Sequence, residues 1–287
     1  MASTITLRRR INSIRNTRQI TKAMELVSAS KLRRAQEQAQ SSRAYREAAY
    51  ALLARLNQIQ EVERTPLFTK RDVKNRLYVV ITSNSGLAGA YNSNVLKLLT
   101  QSVRKDADDK VKSHVITIGN KGAQFARRLH GVELTAVYPA FGDKPTANDI
   151  RPILNSLIEL YREEKIDEAQ VLYTVFRSSV VQEAVTLPLL PTTRQEAPAA
   201  QGTMNFEPDV ETVIDAVATR LLEVQLWQAL LESLASEHSM RMLAMKSATD
   251  NANELIGDYT LAYNTARQAA ITQELAEISG GVEALKD

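Results

Sequence analysis

The sequence predicts a small α/β domain inserted between two long terminal helices that pair as an antiparallel coiled coil. The positions of the helix breakers are the first indication. All eight prolines lie between Pro66 and Pro208, the first glycine is Gly86, and residues 209–279 contain only Gly257. Proline removes a helix hydrogen-bond donor and glycine costs about 1 kcal/mol in a helix interior, so tracts almost free of both permit very long helices. Two further observations support this fold class: the terminal tracts carry opposite charges, and the middle of the chain alternates between strand-like and helix-like patterns.

The N-terminal segment, residues 1–65, is predicted to be helical from about residue 4 to about residue 60. Three large apolar residues open a stripe at helical spacing: Leu7, Ile11 and Ile14. We expect the stripe to shift phase near Arg18 and to resume at Met24 and Val27. Further apolar residues then continue the same face: Ala35, Ala39, Ala49, Leu53 and Leu56. This tract is the first arm of the predicted coiled coil.

The C-terminal segment, residues 209–287, has the more regular pattern. Alternating steps of four and three from Val210 meet uncharged residues throughout: Ile214, Val217, Leu221, Val224, Gln228, Leu231, Ala235, His238, Met242, Met245, Thr249, Ala252, Ile256, Tyr259, Tyr263, Ala266 and Ala270. A sustained period of 3.5 predicts a left-handed coiled coil. At about 1.5 Å per residue, residues 210–270 would span about 90 Å. Small residues near the end of this stripe suit either a close approach of the two helices or contact with something other than one partner helix.

Opposite charges favour pairing of these two helices within one chain. Residues 1–60 contain twelve Lys/Arg and three Asp/Glu, a net charge of +9, whereas residues 207–287 contain five Lys/Arg and fourteen Asp/Glu, a net charge of −9. Each helix alone repels itself, but the two fields cancel when the helices pack together. We therefore expect an intramolecular antiparallel pair.

Composition restricts the function classes. The 287 residues suit one or two domains, and the net charge of +3 is too small and too divided to favour a nucleic-acid partner. The basic N-terminal helix also lacks the interleaved aromatic residues that stack on bases. There is no cysteine, which excludes disulfides and thiolate metal sites. Without an apolar run of about 18 residues or a signal-peptide pattern, the chain is expected to be cytoplasmic, or peripheral to the cytoplasmic face of a membrane.

The middle segment, residues 66–208, is predicted to be a Rossmann-like α/β domain. Apolar, β-branched runs predict strands at residues 77–82, 114–119, 170–176 and about 185–190. Helical patterns separate them at about residues 91–105, 122–129 and 147–163. This alternation indicates a mainly parallel sheet. Residues 191–208 follow the last strand and are expected to form an exposed loop.

No catalytic or metal site is apparent in the sequence. The turn TSNSGLAGAYN, residues 82–92, follows a strand as phosphate-binding turns do, but it has neither a Gly-Lys-Ser/Thr sequence nor the spacing of a dinucleotide fingerprint. A tight strand-to-helix turn is the favoured interpretation. His114, His130 and His238 are scattered along the chain, so they do not suggest a metal centre.

Four segments, in order and at matching spacing over nearly the whole chain, resemble the gamma subunit of bacterial F-type ATP synthase. These are TRQITKAMELVSASKLRRA at residues 17–35, TSNSGLAGAYN at 82–92, SEHSMRMLAMKSATDNANELI at 236–256 and ARQAAITQELAEISGG at 266–281. The turn departs from the family pattern Asp-Arg-Gly-Leu-Cys-Gly, because Asn84, Ser85 and Ala88 occupy the two charged positions and the cysteine position. The glycines and Leu87 remain, so the turn is expected to persist without those charges and without the thiol.

The resemblance implies a non-catalytic rotary shaft that needs no cofactor or metal. In this family the coiled coil stands inside a hexamer of three alpha and three beta subunits, and the α/β domain rests on the membrane-embedded c-ring and binds the epsilon subunit. Proton flow turns the ring and the shaft, which cycles the three catalytic sites through different conformations during ATP synthesis. The implied location is peripheral, on the cytoplasmic face of the bacterial cell membrane.

The resemblance also assigns contact residues. Met24 matches the position that faces a hinge loop of the beta subunit, and Arg267 and Gln268 match a pair that bonds an acidic beta-subunit loop. Thr272 and Glu274 match the polar part of the same signature. In the foot, Phe206 and Glu207 resemble the segment that contacts the c-ring. For Met24 the alternative is a structural methionine in the helix seam, and for Arg267 and Gln268 it is a solvated helix residue.

Two other function classes remain open on the residues alone. A structural adaptor coiled coil unrelated to ATP synthase would explain the helices and their charges, but not the signature segments. An α/β enzyme with helical arms would need an active site, for which the sequence shows no candidate. Co-purification with alpha and beta subunits, three of each per chain, would discriminate the shaft from both.

Overall fold

The computed structural model describes residues 4–41, 48, 65–142, 145–192 and 209–284, which form five α-helices, five strands and one short 3-10 turn. The helices are α1 (Thr4–Ser41), α2 (Tyr91–Asp108), α3 (Asn120–Ala126), α4 (Ala147–Arg162) and α5 (Val210–Ala284). The strands are β1 (Asn75–Ile81), β2 (Lys112–Ile118), β3 (Val132–Tyr138), β4 (Glu168–Phe176) and β5 (Gln182–Leu190). The 3-10 turn, Pro66–Phe68, precedes β1. The long terminal helices and the α/β middle predicted from the sequence are both present.

The five strands form one sheet in the order β3-β2-β1-β4-β5. The pairs β1–β2, β1–β4 and β2–β3 are parallel, and β5 adds to β4 in the antiparallel sense. The prediction of a mainly parallel sheet is confirmed. Sequence inspection missed β3, because this edge strand alternates half-buried and exposed residues and has no continuous apolar run.

Alternate residues of the central strands face two separate apolar layers. On one face, Leu77, Val79 and Ile81 of β1 pack with α4 and with α5 residues between Ala218 and Leu230. On the other face, Tyr78 and Val80 pack with α2 and α3. Helices on both faces bury the parallel strands, as that type of sheet requires. The sheet, α4 and the first half of α5 therefore share one core.

The turn after β2 requires glycine at residue 119. Gly119 has φ +99°, a backbone conformation that side chains disfavour, and a Cβ built there would lie 2.1 Å from the carbonyl oxygen of Thr82. The same threonine holds the turn, because its hydroxyl donates to the carbonyl of Ile118 at 3.0 Å and accepts from the N–H of Gly122 at 2.9 Å. The ends of β1 and β2 are thereby fixed side by side.

A buried ionic network holds the opposite end of the sheet. Arg76 of β1 pairs with the fully buried Asp106 of α2 and donates to Glu168 of β4 at 2.8 Å. Asp106 also accepts hydrogen bonds from Tyr78 at 2.7 Å and from Ser113 at 2.9 Å. Burial acts to lower the pKa of Arg76, but hydrogen bonds and charges, those of Glu168 foremost, outweigh it and raise that pKa. Every charge in the network therefore has a partner, as buried charges require.

The described residues divide into two compact units. One consists of α1 up to Ser28 and α5 from Met242 onward, and the other of residues 29–241. Along α1, burial follows an unbroken progression of four and three: Leu7, Ile11, Ile14, Arg18, Thr21, Glu25, Ser28, Leu32, Ala35 and Ala39. The expected phase shift near Arg18 is therefore wrong, and Val27 is exposed. The expected stripe residues Ala49, Leu53 and Leu56 lie outside the described residues.

Candidate partner-binding surface

In the unit that contains the start of α1, the two terminal helices run antiparallel. Thr21 and Thr249 share a hydrogen bond between their hydroxyls at 2.8 Å. Toward the start of α1, Arg18 donates to Asn253 at 3.3 Å, and Arg10 donates to the hydroxyl of Tyr259 at 3.4 Å. The Arg10 guanidinium also lies 5.8 Å from the centre of the Tyr259 ring, within the range of a cation–π contact. The antiparallel direction predicted from charge is present in this unit.

The register of this pairing determines where α5 leaves its partner. In each of the three pairs the two residue numbers add to within one of 270, so Thr4, where α1 begins, lies level with about residue 266. Along α5, every position of the predicted stripe from Val210 to Ala266 is buried or half-buried. From residue 267 to residue 279 every described side chain is exposed. The end of α5 therefore extends beyond the helix that covers its earlier turns.

Four of the predicted contact residues lie together on this extension. Arg267, Gln268, Thr272 and Glu274 are all exposed, within two turns of one helix. Met24 lies elsewhere, on α1, where it is half-buried. All five are part of the same unit, and the four on α5 are available to a partner protein.

An apolar stripe also runs along the extension, and sequence inspection did not single it out. Ile271, Leu275 and Ile278 follow one another at steps of four and three, and their side chains are 48%, 60% and 64% exposed. Residues at this spacing share one helix face. The signal that the sequence offered was the recurrence of apolar residues, at the same steps of four and three, beyond the part of α5 that α1 covers.

A second exposed apolar patch surrounds Met24 on α1. Ile20 and Val27, four residues before and three after Met24, are 60% and 54% exposed. Val27 was expected to face the partner helix, but that place is taken by the polar residues Thr21 and Ser28, both buried. The patch therefore faces away from α5, although its residues are apolar.

The turn after β1 lies where doubly wound sheets bind nucleotides, and here it is hydrogen-bonded to neighbouring loops and to α5. The side chain of Asn84 links neighbouring loops, because its Oδ1 accepts from the N–H groups of Asn120 and Ala140 at 3.2 and 3.1 Å. Arg241 of α5 reaches the turn at 3.4 Å from the hydroxyl of Ser85 and 3.5 Å from the carbonyl of Gly86. A structural turn, as favoured from the sequence, agrees with these contacts.

Three buried titratable side chains lie beside this turn. Arg241 pairs with Glu237 one helical turn earlier, at 2.8 Å between Nη1 and Oε1. Burial raises the pKa of Glu237, although the charges of Arg241 and Lys31 act in the opposite direction. Burial also raises the pKa of Tyr91, which keeps its hydroxyl neutral. The pair supplies a polar contact between α5 and the turn.

Comparison with known proteins decides the family. The model of the ATP synthase family matches residues 3–285. Proteins named ATP synthase gamma chain from Xylella fastidiosa and Acidithiobacillus ferrooxidans are each 40% identical to this chain, over 288 and 289 residues respectively, and cover 99% of it and 100% of their own length. The chain belongs to the ATP synthase gamma-chain family.

Chains in solved ATP synthase structures share the fold. The chain matches a component of the mitochondrial ATP synthase of Euglena gracilis with a TM-score of 0.70 and 20% identity, over 98% of this chain and 94% of that one. A chain of the central stalk and c-ring structure from Tetrahymena thermophila matches with a TM-score of 0.63 and 23% identity, over 80% of this chain and 99% of that one. The predicted combination of long helices with a small α/β domain is therefore an ATP synthase central-stalk fold.

Membership in the gamma-chain family also fixes the functional class. A gamma chain is the central rotary subunit of F-type ATP synthase and carries no catalytic site of its own, so the alternative of an unrelated structural adaptor is wrong. In the described ranges, no group of three or more His, Cys, Asp or Glu residues is placed to hold a metal ion. Nor does any helix in that part of the chain have an apolar run long enough to cross a bilayer. Phe206 and Glu207, the predicted c-ring contacts, lie outside the described residues.

Proposed function

We propose that this gamma chain transmits rotation by inserting the end of α5 into a surrounding head of three alpha and three beta subunits. The observation that carries this proposal is the extension of α5 beyond α1, on which an apolar stripe and four polar contact candidates are all exposed. Exposed apolar stripes of this kind are typical of surfaces that another protein covers. A helix end that turns inside a ring must present side chains in every direction, and this one does.

The polar residues of the extension make the energy of the contact depend on the rotary angle of the shaft. Arg267 can form charge-assisted, two-pronged bonds with a carboxylate, and Gln268 beside it can donate or accept. Such bonds form only when an acidic loop of a beta subunit lies opposite them, so their energy depends on the rotary position. A rotating ligand with different affinities for the conformations of a catalytic subunit shifts the populations of those conformations.

Met24 and its apolar neighbours on α1 form the second proposed beta-subunit contact. Their surface differs from that of the extension, because it is flanked by cationic side chains, among them the exposed Arg15 and Lys22. A hinge loop with apolar and acidic side chains would complement this surface in both its apolar character and its positive charge. Thr272 and Glu274 complete the polar set on α5.

The sheet domain is the proposed foot of the shaft. We place it at the c-ring and the epsilon subunit, with Phe206 and Glu207 as ring contacts, and we place the whole complex at the cytoplasmic face of the bacterial cell membrane with this chain peripheral to it. Proton flow through the ring would then turn the foot, and α5 would carry that rotation to the head.

Reconstitution with and without the chain tests this function. Alpha and beta subunits are assembled alone and with the chain, and both preparations are joined to membrane vesicles that contain the c-ring and the other partner subunits. We expect ATP-driven proton pumping only when the chain is present, with one copy for three alpha and three beta subunits. Equal pumping without the chain would contradict the proposal.

A further inference from the structure

Strand β4 continues past the point where β1 stops pairing with it. The parallel register of the two strands ends at Val80 and Leu172, whereas β4 runs to Phe176 and its pairing with β5 continues to the same residue. Residues of β4 beyond Leu172 therefore have a neighbouring strand on the β5 side, and among the described strands none on the other side. Thr174 is buried in this stretch, so its backbone polar groups need other partners.

Two serines of α5 supply those partners at Thr174. The N–H of Thr174 donates to the hydroxyl of Ser233 at 3.1 Å, and the hydroxyl of Ser236 donates to the carbonyl of Thr174 at 3.2 Å. Both serines are completely buried. A strand residue exchanges one N–H and one C=O bond with its neighbour, and here the helix provides both.

A third serine extends this contact along the same helix face. Ser239 donates to the carbonyl of Ser179 at 2.9 Å, in the turn between β4 and β5, and accepts from the side-chain amide of Gln182 at 3.2 Å. Ser239 is also fully buried. We call Ser233, Ser236 and Ser239 the serine row. Each member binds the backbone of the β4–β5 hairpin.

The serine row differs in kind from the apolar contacts that surround it. Apolar burial is non-directional, so it resists separation of helix and sheet but opposes sliding or turning weakly. Hydrogen bonds to a fixed backbone weaken steeply when their angle changes, so they oppose rotation of the helix about its axis. The small serine side chains also let the helix approach the strand backbone closely.

We propose that the serine row is the joint through which torque passes between the sheet domain and α5. This inference rests on the proposed rotary function, because a joint that resists turning matters only in a chain that transmits rotation. The joint is needed when rotation is opposed by the proton gradient. Hydrolysis by a detached head, which turns the shaft against no such opposition, does not need it.

The test compares serine variants in the assembled, membrane-bound complex. The main variant is Ser236→Ala with Ser239→Ala, which removes two members of the row and leaves Ser233 beside Tyr91 in place. The triple variant adds Ser233→Ala. The matched control is Ser247→Ala, an exposed serine on the same helix. The measurements are ATP hydrolysis by the detached head, protons pumped per ATP hydrolysed, and amide hydrogen exchange in the peptide that contains Thr174.

We expect hydrolysis by the detached head to stay near the wild-type rate in every variant. Pumping per ATP should fall by roughly two- to tenfold for each bond lost, while the control matches wild type. Exchange at Thr174 should become faster in the triple variant, which removes the acceptor of its N–H. Unchanged pumping in the double and triple variants overturns the inference, whether or not exchange becomes faster. An equal loss in the control overturns it as well. If the triple variant does not assemble, the double variant decides the question. If the wild-type chain itself gives no chain-dependent pumping, it is the rotary function that fails.

Discussion

Glu237 and Arg241 place opposite charges inside the protein beside the turn that follows β1. Two effects compete at the Glu237 carboxyl, since burial favours its neutral form and the adjacent guanidinium favours its charged form. Burial is the larger effect, so the pKa of Glu237 is raised. A carboxyl of this kind makes stability depend on pH in the direction opposite to that of an ordinary surface ion pair.

Replacing Glu237 with Gln should reveal this dependence. The folded pKa lies above the unfolded value of about 4.3, so the contribution of Glu237 to stability is fully present below that value and is lost as pH rises through the folded pKa. The difference in unfolding free energy, wild type minus Glu237→Gln, should therefore decrease from about pH 4 toward neutral pH. Denaturant unfolding of the purified chain at several pH values measures it. A difference that grows with pH would show that the ion pair with Arg241 outweighs burial.

Arg267→Ala and Gln268→Leu test the proposed polar contacts of the extension. Both side chains are exposed, so the fold should tolerate their loss, whereas a lost charge-assisted bond costs about 1.5–3 kcal/mol. If that bond stabilises one rotary intermediate, turnover of the assembled complex should fall roughly ten- to a hundredfold. Asn264→Ala, exposed one turn earlier on the paired part of α5, is the control. Wild-type ATPase rates in both variants would mean that the two side chains are merely solvated.

At the scale of single residues, sequence inspection placed the buried face of α1 incorrectly around Arg18. It followed apolar residues, which led to Val27, but the helix buries Thr21 and Ser28 and leaves Val27 exposed. The hydroxyls of Thr21 and Ser28 are satisfied by helix carbonyls, those of Arg18 and Met24, so their burial costs little. Hydropathy cannot distinguish a satisfied hydroxyl from a solvated one. Spacing alone, continued from Leu7 without regard to polarity, gives the right face.

Among the helices and strands, the long tracts were predictable because their signals are local. Helix breakers, the 3.5 period and runs of β-branched residues indicate α1, α5 and four of the five strands. The strand β3 and the serine row were not predictable in this way, because each depends on which elements become neighbours. Ser233, Ser236 and Ser239 look like ordinary helix residues until β4 is known to extend beyond β1.

The buried hydroxyl pair between α1 and α5 gives a prediction for the helix pairing. In the double variant Thr21→Val with Thr249→Val, shape is kept and both hydroxyls are removed together, so stability should stay within about 1 kcal/mol of wild type or increase. Thermal and denaturant unfolding of the purified chain measure this.

The single variants complete the comparison for this pair. In each, the remaining hydroxyl keeps a bond to its own helix, from Thr21 to the Arg18 carbonyl at 3.0 Å or from Thr249 to the Met245 carbonyl at 2.8 Å. Each single change should therefore cost only about 1 kcal/mol. A loss well above about 2 kcal/mol in the double variant would show that the hydroxyl pair is itself a main source of stability.

For the molecule as a whole, the same two positions test whether the terminal helices pair within one chain. The sequence contains no cysteine, so Thr21→Cys with Thr249→Cys introduces a single possible disulfide where two hydroxyl oxygens now lie 2.8 Å apart. Mild oxidation should close it within one chain, as seen by faster migration of the monomer on non-reducing gels. The control pairs Thr17→Cys with Thr249→Cys, because Thr17 is exposed one turn away. Covalent dimers as the main product would indicate pairing between chains.

Family resemblance predicted the functional class of the molecule, and physical pattern predicted its layout. What the residues could not supply was the register of the helix pair, and hence the point at which α5 leaves α1. That point depends on long-range contacts such as Arg10 with Tyr259, which no local pattern encodes. Resemblance alone identified the contact residues Arg267, Gln268, Thr272 and Glu274. The register of the helix pair gives a physical reason why they are exposed.

The extension of α5 also has a consequence for the susceptibility of the chain to proteolysis. A helix end without tertiary packing is held only by its own marginal propensity, so it opens more often than the paired turns before it. Proteases cleave such transiently opened segments in proportion to how often they open. We therefore expect a copy that has not been assembled to be cleaved within residues 267–279, which are exposed, and a copy enclosed as proposed to be protected there. The geometry proposed to serve rotation would then also make unassembled copies the better protease substrates.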